Sequence, residues 1–265
     1  MIFYLLCYTS VKLEVKKVRS TKIGFFDSGI GGVTVLRECI KLVPNFDYIY
    51  YSDSKNNPYG DKSMEEVLEI ASKIAEYLID NGCNIIVIAC NTASAICVES
   101  LRIMYPNIIF IAIEPAIKCA YDNLEDNTLI MATKGTMDSE KFHTLYEKYH
   151  RKNFYLKSCV GLANLIERGN CDEIKKYLVD NISEYKNKVD SVVLGCTHYP
   201  LIKEEIKGVL GNVTFYDGSI GVAKQLKKII DNNNFMGNGE ANILFIDSSN
   251  DSFKEQRFKS LLNDY

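Results

Sequence analysis

From Lys22 onward the chain alternates short β-rich runs with amphipathic stretches, and this alternation constrains its fold more than any other feature. The runs are residues 23–26, 48–51, 85–89, 108–113, 128–132, 154–157, 191–194, 213–216 and 243–246. Several are continuously apolar, the pattern of parallel strands buried on both faces. Between them, residues 63–81 place Val67, Ile70, Ala71, Ile74 and Leu78 on one helical face, and residues 172–186 do the same with Ile174, Leu178, Ile182 and Tyr185. Val33–Leu42 is a further candidate helix. Such regular alternation predicts an α/β fold with open, mostly parallel sheets and connections on both faces. A length of 265 residues suits one large α/β domain or two of ordinary size.

An internal similarity favours two. Asn84-Ile-Ile-Val-Ile-Ala-Cys90-Asn91-Thr92 and Ser191-Val-Val-Leu-Gly-Cys196-Thr197-His198 each run an apolar strand into a cysteine, then small polar groups, then a segment able to form helix. The chain therefore reads as two related α/β halves with a boundary near Glu114-Pro115, because proline restricts the residue before it and often opens a new element. Asn232-Asn233-Asn234 and the glycine-bearing turn after them read as a loop. At the N-terminus, the apolar stretch from Met1 to Tyr8 is short, its basic residues (Lys12, Lys16, Lys17, Arg19) follow it, and no small-residue cleavage site is evident. Residues 1–20 are expected to be an appended segment outside the fold, open to disorder.

Composition narrows the function. An apolar content of 47%, 25% charged residues and a net charge of −3 fit a soluble globular chain and exclude disorder, collagen and coiled coil. With 31 basic against 34 acidic residues there is no long basic tract, so neither nucleic acid nor a membrane surface is an expected partner. The nine cysteines are scattered, odd in number and never form a CxxC pair, which argues against a disulfide framework and a zinc knuckle. Reduced thiols in a cytoplasm fit better. No His/Cys/carboxylate cluster has ligand spacing, so no metal is expected.

Ligands of open α/β sheets gather beyond the carboxyl ends of the strands, where helix N-termini offer free N–H groups and partial positive charge. Cys90 and Cys196 both fall there, a location expected to lower a thiol's pKa. One use of two such thiols in facing halves is a two-base reaction. One thiolate removes a proton from a carbon and the opposite thiol returns one to the other face, while neighbouring hydroxyl, amide and N–H groups hold a carboxylate. Glycine-rich Asp27-Ser28-Gly29-Ile30-Gly31-Gly32 follows a strand and suits either a small ligand or simply a tight connection; it is not a dinucleotide fingerprint. Asp27 either meets a substrate ammonium, polarises Cys90 or caps the next helix. Residues 56–61, Asn-Asn-Pro-Tyr-Gly-Asp, read as a turn. His198, two residues from Cys196, is placed to tune that thiol, whereas His143 and His150 lie in a polar helical stretch at residues 139–151.

Taken together, Asp27-Ser28-Gly29-x-Gly31-Gly32, Pro58-Tyr59-Gly60, Cys90-Asn91-Thr92-Ala93 and Gly195-Cys196-Thr197-His198-Tyr199-Pro200 resemble, in order, the motifs of the glutamate racemase family, within the cofactor-independent aspartate/glutamate racemases. The resemblance runs from about Lys22 to the C-terminus. It implies that Cys90 and Cys196 are the paired acid-base thiols, with Asp27, Ser28, Tyr59, Gly60, Asn91, Thr92, Thr197 and His198 forming the substrate site. It also implies two pseudo-symmetric α/β domains with the site in the cleft between them, no cofactor, frequent homodimers, and D-glutamate supply for peptidoglycan. The C-terminal segment would return to the first domain, giving 22–114 plus 220–265 and 115–219 as the two domains, after an extension at 1–21. Residues 133–136 and Glu167 lie where the family has a threonine turn and an acidic partner for the histidine; they stand outside the expected site. The chain departs from the pattern at residues 1–20 and at Tyr216-Asp217-Gly218-Ser219. Rival readings are a racemase for aspartate or a related amino acid, and a non-enzymatic amino-acid-binding protein.

Overall fold

Successive side chains of a strand point to opposite faces of its sheet, so a strand apolar at every position needs cover on both sides. A computed structural model of the chain, describing residues 21–263, provides that cover twice. The strands are β1 (Lys22–Asp27), β2 (Asp47–Ser52), β3 (Cys83–Ile88), β4 (Ile109–Ala112), β5 (Asn127–Ala132), β6 (Asn153–Ser158), β7 (Ser191–Gly195), β8 (Thr214–Asp217) and β9 (Asn242–Asp247). They form a five-stranded sheet in the order β4-β3-β1-β2-β9 and a four-stranded sheet in the order β6-β5-β7-β8. Every pairing is parallel. The nine runs expected from sequence are these strands, and the fold is two parallel α/β sheets with helices on both faces.

The helices are α1 (Val33–Leu42), α2 (Met64–Asp80), α3 (Asn91–Met104), α4 (Ile117–Asp122), α5 (Lys134–Met137), α6 (Glu140–Tyr149), α7 (Leu162–Arg168), α8 (Cys171–Ile182), α9 (Lys203–Leu210), α10 (Ser219–Asn233) and α11 (Ser252–Asn263). Ile85 and Val87 of β3 join Ile23 and Phe25 of β1 under α1, α10 and α11, while Ile86, Ile88 and Phe26 face α2 and α3. In the second sheet, Leu129 and Val192 pack under α7, α8 and α9, and Ile130 and Val193 under α4 and α6. Ser63 starts α2 with a reciprocal capping box to Glu66, which satisfies two backbone donors that a helix N-terminus otherwise leaves open.

Some local expectations change. Asn232 and Asn233 are the last residues of α10, not loop, and Asn234 closes the helix in the left-handed conformation (φ 52°) that asparagine tolerates. On α2 the buried stripe takes in Ala75, and Ile70 is half-buried. Tyr185 lies on a 3₁₀ turn after α8, half-buried against the helix side of the second sheet. Of the extension expected at 1–21, residues 1–20 lie outside the described residues; Thr21 is buried and donates its N–H to the Met236 carbonyl at 3.2 Å.

The strand orders decide where loops converge. In the first sheet the chain leaves β1 for β2 on one side and returns to β3 on the other, so the crevice opens beyond the ends of β1 and β3. In the second sheet the same reversal falls between β5 and β7. Asp27 and Cys90 therefore leave adjacent strands of one sheet, and Thr133 and Cys196 leave adjacent strands of the other.

Candidate active site

At the end of β1, Asp27 is fully buried, accepts the Gly32 N–H at 2.8 Å at the start of α1, and accepts the Thr197 hydroxyl of the other half at 3.2 Å. Ser28 follows, with its hydroxyl 3.8 Å from the Cys90 sulfur. Cys90 is the residue that opens α3, and Asn91 and Thr92 form its first turn, all three nearly enclosed. The 56–61 turn contains a cis Asn57-Pro58 bond and runs into a 3₁₀ turn at Tyr59–Asp61. Asp53 secures it by accepting the Tyr59 hydroxyl at 2.6 Å and the Asn56 amide at 3.0 Å.

From the second half come Cys196 and Thr197 after β7. His198 puts Nδ1 3.8 Å from the Cys196 sulfur and Nε2 2.7 Å from Oε2 of Glu167, at the end of α7. Thr133 caps α5 through its hydroxyl and meets Thr92 across the boundary at 2.9 Å. The two halves approach closely because glycines stand between them. A Cβ at Gly29 would meet Oε2 of Glu167 at 2.5 Å, and one at Gly31 would meet Nδ1 of His198 at 2.6 Å. The glycine-rich turn thus admits the opposing half, a role beyond the tight connection or ligand loop expected from sequence.

These elements enclose a cavity of about 20 Å³. Both cysteines line it, with Ser28, Tyr59, Gly60, Asn91, Thr92 and Thr197. Asp27 and His198 do not line it; they stand behind it, bonded to Thr197 and facing Cys196 respectively. Asn57, Thr133 and Ala163 also line it. Asn57 sits in the turn already singled out, and Thr133 in the threonine turn that the family resemblance indicated; nothing in the sequence marks Ala163. The Oδ1 of Asn91 and both polar side-chain atoms of Asn57 are enclosed without a protein hydrogen-bond partner. Such atoms cost stability unless a polar ligand or water meets them.

The electrostatics correct one expectation. Burial, reinforced by the Asp27 charge, pushes the Cys90 thiol well above its ordinary value, outweighing the Ala93 N–H at the helix start. The helix N-terminus therefore does not make Cys90 a thiolate in this closed state, because a desolvated anion beside a carboxylate is disfavoured more than one N–H stabilises it. Burial likewise raises the Asp27 carboxyl. Around Glu167 the balance reverses: burial opposes its charge, but the hydrogen bond and charge of His198 and the nearby Lys254 ammonium hold its pKa at about 2. Burial alone would lower His198, yet hydrogen bonds to Cys196 and Glu167 carry it well above 6.5. The result is a protonated thiol on one wall and, on the other, a sulfur faced by an imidazolium.

His143 and His150 are exposed on and after α6, as their polar surroundings predicted. Among the described residues the cysteines are free thiols, and no helix is long and apolar enough to cross a membrane.

Comparison with known proteins places these motifs. Residues 31–225 match the family described as Asp/Glu/Hydantoin racemase. A glutamate racemase of Clostridium novyi is 45% identical over 212 residues, covering 78% of this chain and 82% of its own. One from Clostridium perfringens is 43% identical over 224 residues, covering 82% and 86%. Among solved structures, the glutamate racemase of Francisella tularensis in complex with D-glutamate superposes with a TM-score of 0.77 at 28% identity, covering 93% of this chain and 94% of that one.

Proposed function

The chain belongs to the Asp/Glu/hydantoin racemase family and is an isomerase; from that premise we propose that it interconverts L-glutamate and D-glutamate by removing the α-proton at one of Cys90 and Cys196 and returning a proton from the other, without a cofactor. The observation that carries the reading is that two cysteines from opposite sheets line one cavity, one backed by Ser28 and the other by His198. In the L-to-D direction the Cys196 sulfur, 3.8 Å from Nδ1 of His198, acts as the base that takes the α-proton, and the Cys90 S–H delivers its own to the opposite face. One C–H bond breaks, one forms, and the two sulfurs exchange protonation. In the reverse direction the roles swap. The face assignment follows the family, in which the first cysteine serves D-glutamate and the second L-glutamate.

Ser28 and the Tyr59-Gly60 backbone hold the distal carboxylate, and Asn91, Thr92 and Thr197 the α-carboxylate, where their donors stabilise the enolate-like charge that develops as the proton leaves. Asp27 stands behind Thr197 and favours the substrate ammonium. The enclosed, unpartnered Oδ1 of Asn91 is an acceptor and supports an occupant that brings a donor, such as the substrate ammonium. Residues 22–114 with 220–265 act as one domain and 115–219 as the other, closing on the substrate as a cytoplasmic homodimer that supplies D-glutamate for peptidoglycan.

The test is incubation of the purified, reduced protein with L-glutamate in D2O, following the α-proton signal by NMR together with optical rotation. Exchange accompanied by decay of rotation to zero is the expected result, with aspartate run in parallel. Folded protein that leaves glutamate unexchanged overturns the reading. Cys90→Ser and Cys196→Ser each lower racemisation by about 10²–10⁴-fold, the usual weight of a positioned acid-base group. Retention of most turnover by either variant overturns the two-thiol mechanism.

A further inference from the structure

Glu167 is held from both halves of the molecule. It lies in the last turn of α7, 8% exposed. Oε2 meets Nε2 of His198 at 2.7 Å and the Ile30 N–H at 3.2 Å, while Oε1 faces the Lys254 ammonium at 3.5 Å and the Ser54 hydroxyl at 3.4 Å. The helix ends immediately afterwards at Gly169, in the left-handed conformation with φ 75°, whose N–H caps the Leu165 and Ile166 carbonyls. Arg257 reinforces that end from the other half: its guanidinium donates to the Ile166 carbonyl at 2.7 Å, beside the Gly169 N–H, and to the Glu167 carbonyl.

Lys254 and Arg257 are three residues apart on α11 and so share a face. That helix is anchored on the first sheet by Phe258, 1% exposed and stacked on Phe245 at 4.2 Å. One helix of the first half thus fixes the side chain and the main chain of a residue in the second.

We propose that Lys254 and Arg257 are positioning residues for the reaction: they set Glu167, Glu167 sets His198, and His198 sets the Cys196 sulfur, so the thiol of one half is aligned by the C-terminal helix of the other. The proposal rests on the two-thiol reading above. Arg257 acts by direction as much as by charge, because a planar guanidinium bridges two adjacent carbonyls and an ammonium reaches them only as a point donor.

Deuterium at the α-carbon slows only the step in which that C–D bond breaks. Weakening one thiol makes its step limiting in both directions. The isotope effect then grows in the direction where that thiol abstracts and shrinks in the other, whereas general damage to the fold lowers both rates without separating them. Arg257→Met and Lys254→Met are therefore assayed with α-deuterated L- and D-glutamate, beside His198→Asn, with thermal melting to establish folding. Expected for Arg257→Met is a fall in kcat of about 10–100-fold, the scale of a small misplacement remote from the chemistry. Its isotope effects should split in the same sense as those of His198→Asn, Lys254→Met should split them in that sense too, and Arg257→Lys should recover part of the loss. Lower turnover with equal isotope effects in both directions, or unchanged turnover, overturns the positioning role and leaves the two-thiol reading standing. Equal isotope effects in His198→Asn as well overturn that reading and the proposal with it.

Discussion

A methyl group at Gly31 would lie 2.6 Å from Nδ1 of His198 and 2.8 Å from its backbone nitrogen. The imidazole ring can swing, but the backbone behind it cannot, so Gly31→Ala must push the two halves apart or turn His198 away from Cys196. The expected outcome is a fall in kcat of about 100-fold together with a lower melting temperature, measured by racemisation and calorimetry. Unchanged turnover would show that the approach at Gly31 is not needed for the chemistry. The buried pair behind it has a pH signature. Glu167, depressed from 4.5 to about 2, contributes stability that is complete above about 4.5 and is lost as pH falls toward 2. His198, raised above 6.5, contributes stability that is complete below about 6.5 and is lost as pH rises through its folded value. The stability difference between the parent and Glu167→Gln should therefore be greatest between about pH 4.5 and 6.5, at about 3 kcal/mol, and shrink on either side. Denaturant titrations across that range check it, and a difference independent of pH would show that the pair is not ionised. Residue identity alone located the thiols through their place at strand ends. It misjudged the proton state of Cys90, because desolvation by distant segments decides it and no local spacing reports those segments.

Elements were the most legible scale wherever burial was two-sided. A run such as Ile85-Ile-Val-Ile88 cannot be a surface helix or a loop, and it lies inside the first sheet, between β4 and β1. The short helices were not readable in the same way. α5 spans only Lys134–Met137, too short for a periodicity, and is defined by the Thr133 cap. α11 buries a single residue, Phe258, so its apolar pattern is weak even though its docking is specific. That ring stacks on Phe245 at 4.2 Å and packs beside Tyr50 at 4.9 Å, and Tyr50 in turn donates to the Gly29 carbonyl at 2.9 Å in the glycine turn. Phe258→Ala should cost about 3–5 kcal/mol by chemical denaturation, the usual loss for a fully buried aromatic ring. It should also reduce turnover, since the helix that carries Lys254 and Arg257 loses its anchor. A loss below about 1 kcal/mol would mean that α11 is held chiefly by its polar contacts.

For the whole molecule, the repeated strand–cysteine pattern anticipated two sheets of similar build, and the strand orders explain why their reversal points present the two cysteines to one cavity. What the repeat did not carry is how tightly the halves close. A cavity of about 20 Å³ has room for one water and little more, since the space that a single water's centre must have is about 10–15 Å³. An amino acid with a carboxylate side chain is several times larger, so binding requires the halves to separate and settle again around it. The other face of the boundary offers a place to watch this: a groove of about 710 Å³ lies between the α2 and α3 side and α6, with Met64 on one bank and Thr144 on the other. The chain contains no tryptophan, so Met64→Trp introduces a lone reporter, at a position 51% exposed where the larger ring needs no repacking of the core. Glutamate at saturating concentration should shift the emission of that tryptophan, and the shift should persist in the Cys90→Ser background, where binding continues without turnover. Emission that stays constant while exchange in D2O proceeds would show that glutamate enters with the first and second halves fixed, and that the cavity enlarges only through side chains at its walls.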